Sequence, residues 1–177
     1  PYNAKLLQLK KNQHYSKNMD NVFFEELNLP KPKYNLLVGS GSHGTQTAKM
    51  LSGIETILLE ERVKVVLVQG DTNTVLAGAL AAKKLQIKVG HIEAGLRSGD
   101  MNMPEEINRI MTDHISDYLF VPTTLSKDNL VKEGIQLEKI IVTGNTIVDA
   151  ISQNLKIALK SSNILSDLGV TRNNYFL

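Results

Sequence analysis

From about residue 34 onward, short β-branched apolar runs alternate with longer stretches in which apolar positions recur every three to four residues. The short runs predict strands at Val63–Gln69, Ile87–Glu93, Tyr118–Val121 and Ile140–Thr143. The longer ones predict helices at Thr45–Glu61, Thr74–Leu85, Glu105–Ser116, Ser126–Glu133 and Thr146–Lys160. Pro104 suits the first turn of its helix, and Gly134 follows a charged last turn as a C-terminal cap would. Such alternation predicts an α/β chain, a doubly wound parallel sheet with helices on both faces and ligands at the carboxyl edge of the strands.

The two ends depart from this pattern. Residues 1–22 mix polar and leucine positions and read at best as one short helix, where a doubly wound domain usually opens with a buried strand. Ser161 to Asn174 is polar and linker-like, and Tyr175-Phe176-Leu177 resembles the first residues of a new strand. The expectation is an amino-terminal Rossmann-like domain over 1–160 lacking its first strand, then a linker and the start of an absent second domain over 161–177. No repeat or low-complexity segment interrupts the chain.

Composition narrows the function. At 177 residues and 42% hydrophobic content the chain can bury a real core, and 20 basic against 18 acidic residues give no reason to expect a nucleic-acid partner. The absence of cysteine removes disulfides, thiolate metal sites and a cysteine nucleophile, and suits a reducing cytosol. No apolar run approaches the roughly 18 residues of a membrane span, so the expected location is cytoplasmic.

Candidate chemistry lies between Gly70 and Glu106. Asp71 follows the strand ending at Gln69; it, Thr72 or Asn73 either caps the next helix or contributes to a site. Glu93 follows the next strand with no obvious helix to cap, and if the strands are neighbours, about 5 Å apart, it shares a patch of sheet edge with Asp71. Crowded carboxylates push one another's pKa values apart and can divide acid and base duties. Glu105 and Glu106 occupy a helix first turn, where the helix dipole alone favours them. The apolar positions of that helix are Ile107, Ile110, Met111 and Ile115. Arg97 and Arg109 are suited to holding carboxylates or a phosphate, and Arg109 also has the spacing for a salt bridge to its own glutamates. His91 alternates with Glu93 along one strand, so the two are expected to face the same way, and His91 reads equally as a core histidine or a functional one. The His91-Ile92-Glu93 spacing is that of zinc deaminases, but their cysteine ligands are missing, and no metal is expected. Gly39-Ser40-Gly41-Ser42-His43-Gly44 matches G-x-G-x-x-G after the apolar run Leu36-Leu37-Val38. It reads either as a flexible loop or as the phosphate loop of an NAD(P)-dependent oxidoreductase, with only Glu60 and Glu61 where the acidic ribose ligand belongs.

Taken together, Gln69-Gly70-Asp71-Thr72, Gly90 to Arg97, Pro104 to Arg109 and Thr143 to Ala150 closely resemble, in this order and spacing, the non-hydrolysing UDP-N-acetylglucosamine 2-epimerases. The resemblance takes in Gln13-His14-Tyr15-Ser16 and Gly44-Thr45-Gln46-Thr47, and so runs from about residue 12 to 177. It implies a Rossmann-like half of a glycosyltransferase-B type enzyme. The implied reaction interconverts UDP-N-acetylglucosamine and UDP-N-acetylmannosamine, by anti elimination of UDP and its re-addition, without a cofactor. It implies Asp71, Glu93 and Glu105 as catalytic carboxylates; beside them, His91, Arg97, Glu106 and Arg109 are expected from their own positions to bind substrate or support the site. Gln13 and Gln46, with Glu105, match the family's contacts to an activating second substrate molecule. A homodimer and a role in polysaccharide biosynthesis are also expected.

Three departures accompany the resemblance. The opening strand with its Gly-Thr-Arg-Pro-Glu loop is absent, Asn12 stands where glycine usually precedes Gln-His, and the second half would begin where the chain stops. The 177-residue chain by itself is therefore expected to bind UDP-sugar weakly and not turn it over. A non-catalytic fragment that keeps the fold or self-association is the alternative.

Overall fold

In the computed structural model, which describes residues 9–10, 25, 27, 29–30, 32–171 and 174, the β-branched runs become short strands. They are β1 (Leu9–Lys10), β2 (Tyr34–Asn35), β3 (Val65–Gln69), β4 (Lys88–Ile92), β5 (Tyr118–Val121) and β6 (Ile140–Val142). The helices are α1 (His43–Glu61), α2 (Asn73–Lys84), α3 (Pro104–Ile115), α4 (Thr124–Lys132), α5 (Thr146–Ser161) and α6 (Ile164–Asp167), with a 3-10 turn at Leu137–Lys139. Contacts divide the chain into two units, Pro1–Asn145 and Thr146–Leu177. The division falls before α5.

In the first unit β3, β4, β5 and β6 form a parallel sheet in sequential order, and β1 pairs in parallel with β2. Every step along the four-stranded sheet runs in the same direction. Right-handed crossovers therefore put α2, α3 and α4 on one face. That face carries Val68, Val89, His91, Leu119 and Val121, all buried, while the alternate positions Val65, Leu67 and Tyr118 stay exposed. The larger core joins Met50, Ile54 and Leu58 of α1 to Val75, Ala77, Ala79, Ala81 and Ala82 of α2 over Val68 and Val89. Small side chains on α2 allow this close approach. A second cluster, Ala94, Leu119, Val121 and Leu130, lies under α4.

The chain stops are local. Ser42 caps α1, accepting a hydrogen bond from the Thr45 N–H. The end of α4 is a Schellman motif, with the N–H of Gly134 bonding to Val131 and that of Ile135 to Leu130, as the left-handed Gly134 permits. Leu36-Leu37-Val38 is not a strand: Leu37 turns left-handed at φ 48° and Val38 drops into the core. The short helix expected within residues 1–22 lies outside the described residues, except at Leu9–Lys10, which are extended. In the second unit, α5 spans the predicted range and one residue more. The stretch expected to be a linker holds α6, closed by the same capping pattern at Gly169.

Candidate active site

The register of β3 against β4 pairs Gln69 with Ile92, so Asp71 and Glu93 leave the carboxyl ends of adjacent strands. The strand stops one residue short of its predicted end, and Glu93 turns left-handed at φ 68°. Strand alternation therefore does not carry past Ile92, and the expected common facing of His91 and Glu93 fails. His91 is buried below the sheet edge, while Glu93 Oε1 accepts from Gln69 Nε2 at 2.8 Å. Asp71 does not cap α2. Thr72 is the N-cap residue, its side chain makes no cap bond, and the Asp71 carboxylate accepts from Arg109 Nη2 at 2.6 Å.

Helix α3 presents its polar side inward. Glu106, Asn108, Thr112 and Asp113 are buried, while Ile107 and Met111, expected in the core, are 40% and 46% exposed. The reason is local hydrogen bonding. Glu106 accepts from the backbone N–H groups of Ser98 (3.0 Å) and Gly99 (2.9 Å) and from Arg109 (2.8 Å), fastening the loop between β4 and α3. Burial alone would raise its pKa. The Ser98 and Gly99 amides and the Arg109 guanidinium outweigh that and hold it at about 2. Arg109 thus makes the salt bridge its spacing predicted, with Glu106 at i−3, and also reaches Asp71. Asn108 Nδ2 donates to the Asp71 carbonyl (2.9 Å) and to Asn73 Oδ1 (3.1 Å). Glu105, in the same first turn, is partly exposed and makes no hydrogen bond or ion pair to a described residue.

Below this layer His91 and Asp113, both buried, are linked to the half-buried Arg97 and Glu133. His91 Nδ1 is 2.6 Å from Asp113 Oδ1 and its Nε2 is 2.8 Å from the Gly70 carbonyl. Asp113 Oδ2 accepts from the Gly95 N–H (3.1 Å) and forms an ion pair with Arg97 Nη1 at 2.8 Å. Arg97 also grips Glu133 with two bonds of 2.7 Å. Arg97 therefore supports the loop from beneath and does not touch Asp71, Glu93 or Glu105. Gly95 has no substitute: at φ 77° a Cβ would come within 2.3 Å of the Ser126 carbonyl.

Asn108, Asp113, Glu133 and Gln69 were not singled out from sequence. A signal for two of them was present: Glu105, Asn108, Arg109, Thr112 and Asp113 follow a 3.6-residue period of their own.

The glycine-rich loop leads straight into α1, but the strand before it, β2, is only two residues long and ends at Asn35, well short of Gly39 where a dinucleotide fingerprint requires a strand, and Glu61 bonds to Lys33 and Tyr34. It borders the carboxylate loops, since Asn73 Nδ2 donates to His43 Nδ1 at 3.0 Å. Gln46 Nε2 donates to the Gly39 carbonyl within the loop. Gln13 lies outside the described residues.

Parallel strands ending in carboxylate-bearing loops define a Rossmann-like half with its site at the strand ends. The family model for UDP-N-acetylglucosamine 2-epimerase matches residues 4–177. The UDP-N-acetylglucosamine 2-epimerase of Methanocaldococcus jannaschii is 66% identical over 168 residues, covering 94% of this chain and 46% of the relative. That of Methanococcus maripaludis is 62% identical, covering 98% and 48%. The crystal structure of the Methanocaldococcus jannaschii enzyme in complex with UDP-GlcNAc and UDP superimposes with a TM-score of 0.86 at 67% identity, over 90% of this chain and 44% of that one. The chain belongs to the UDP-N-acetylglucosamine 2-epimerase family, and it spans about half the length of the curated relatives it matches.

Proposed function

We propose that this chain is the sugar-facing half of an enzyme that interconverts UDP-N-acetylglucosamine and UDP-N-acetylmannosamine, with Asp71, Glu93 and Glu105 as its catalytic carboxylates. The observation that carries the reading is the pair Asp71 and Glu93 at the ends of hydrogen-bonded parallel strands, in a chain 66% identical to an epimerase of that name. In the proposed reaction a carboxylate takes the C2 proton while the C1–O bond breaks, releasing UDP and leaving a 2-acetamidoglucal. UDP then adds back at C1 as a carboxyl group returns a proton to the other face of C2. Acid and base groups are therefore needed on both sides of the ring, which a single carboxylate cannot supply.

Arg109 and Asn108 hold the Asp71 loop, and Glu106 holds the loop leading to Glu105, so their role is support. His91 and Arg97 act from below. Gln46, with Gln13 and Glu105, is the proposed contact for an activating second substrate molecule. The exposed stripe of Met103, Ile107 and Met111 on and before α3 supports self-association as a homodimer. A cytoplasmic location and service to polysaccharide biosynthesis complete the reading.

The test is proton NMR of the full-length gene product with UDP-N-acetylglucosamine in heavy water. Appearance of the manno epimer with deuterium at C2 is expected. Epimer formed without deuterium at C2, or no epimer at all, overturns the proposal.

A further inference from the structure

We propose that Asp113 is a positioning residue that fixes Asp71 and Glu93 relative to each other; its catalytic readout rests on the epimerase reading above, its structural readout does not. Asp113 is buried in the last turn of α3 and touches neither carboxylate. One of its oxygens holds His91, whose other ring nitrogen faces the carbonyl of Gly70, the residue immediately before Asp71. The other oxygen holds the N–H of Gly95, two residues after Glu93, and the guanidinium of Arg97. A carboxylate accepts at both oxygens, so one group sets the height of two loops that leave different strands.

Asp117 shows what a structural carboxylate looks like in the same fold. It binds Lys83, Lys88 and the Val89 N–H at the amino end of β4, away from the loops that carry Asp71, Glu93 and Glu105. Removing either charge weakens the fold, but only the loss of Asp113 releases the site loops. Proton transfer needs donor and acceptor within about 2.6–3.2 Å, and a misplacement of about 1 Å costs on the order of 100-fold in rate.

Asp113→Ala removes both acceptors, so His91 on one side and the Gly95 N–H and Arg97 on the other lose their shared partner. In the full-length gene product we expect kcat to fall about 100-fold with KM within about threefold, the signature of lost transition-state alignment. Amide hydrogen exchange is expected to accelerate at residues 70–73 and 93–97. Asp117→Asn is expected to lower the melting temperature while leaving kcat and those amides near wild type. Unchanged exchange at both loops in Asp113→Ala, or a kcat loss no larger than in Asp117→Asn, overturns the proposal. A wild-type protein that neither epimerises nor exchanges C2 would end the epimerase reading, and the exchange data would still decide the role of Asp113. If Asp113→Ala does not fold, His91→Leu removes both ring nitrogens and cuts only the arm from Asp113 to Gly70. Exchange should then rise at 70–73 and not at 93–97, and a rise at both or at neither refutes the assignment.

Discussion

Glu93 holds a left-handed backbone, as do Leu37, Arg62 and Gln86. Arg62 closes α1 and Gln86 follows the last turn of α2, so helix ends account for both. Glu93 ends a strand and has no such reason. A non-glycine residue there costs on the order of 1–3 kcal/mol, and the side chain it aims at the sheet edge is the offsetting gain if the site is catalytic. Glu93→Asn should therefore stabilise the protein by up to about 1 kcal/mol, since asparagine tolerates this conformation, while abolishing turnover. Urea denaturation and the deuterium assay report the two effects. Glu93→Gln and Asp71→Asn, which keep shape, should each lower turnover by about 10²- to 10⁴-fold with the fold retained. Near-normal epimerisation by both would leave these residues a structural role. Asp71 and Glu93 were legible in the sequence because their positions follow from where strands end. Asp113 was not, because an aspartate in the last turn of a helix looks solvated unless its partners, which come from distant loops, are known.

Helix α3 shows what periodicity can and cannot decide. Its two faces are evident from spacing alone, but which one points inward depends on what waits there. Here the neighbours are loop amides at Gly95, Ser98 and Gly99 and the Asp71 carbonyl, all of which need polar partners once covered. The polar face turns in and Ile107 and Met111 turn out. The strands, helix spans and the caps at Pro104 and Gly134 were legible because each rests on local chemistry. One consequence is pH dependence. The folded state holds Glu106 at about 2, below its ordinary value of 4.5. Its contribution is thus fully present above that value and is lost as pH falls through about 2. The shift corresponds to roughly 3 kcal/mol. Stability measured by urea denaturation should decline between these pH values, and Glu106→Gln should be less stable at pH 7 and flatter over the same range. An equally steep acid decline in Glu106→Gln would assign it to other carboxylates.

At the scale of the molecule, the arginines beside the carboxylates are already engaged: Arg109 with Asp71 and Glu106, Arg97 with Asp113 and Glu133. Neither is placed to take up the negative charge that develops on a departing diphosphate without leaving a buried carboxylate unpaired. Relatives about twice as long carry a further segment of comparable size, and that segment is where the leaving group's partners are expected. Without it the sugar also faces open water, which screens the electrostatic stabilisation that a closed site provides. The 177-residue chain alone should therefore bind UDP-N-acetylglucosamine weakly and fail to turn it over. The measurement is C2 deuterium incorporation in heavy water by the purified chain, with the full-length archaeal relative as control. Incorporation at a rate near that of the control would mean that the three carboxylates and their supports carry the chemistry without a second wall, and that the arginines counted here as structural exchange partners during turnover.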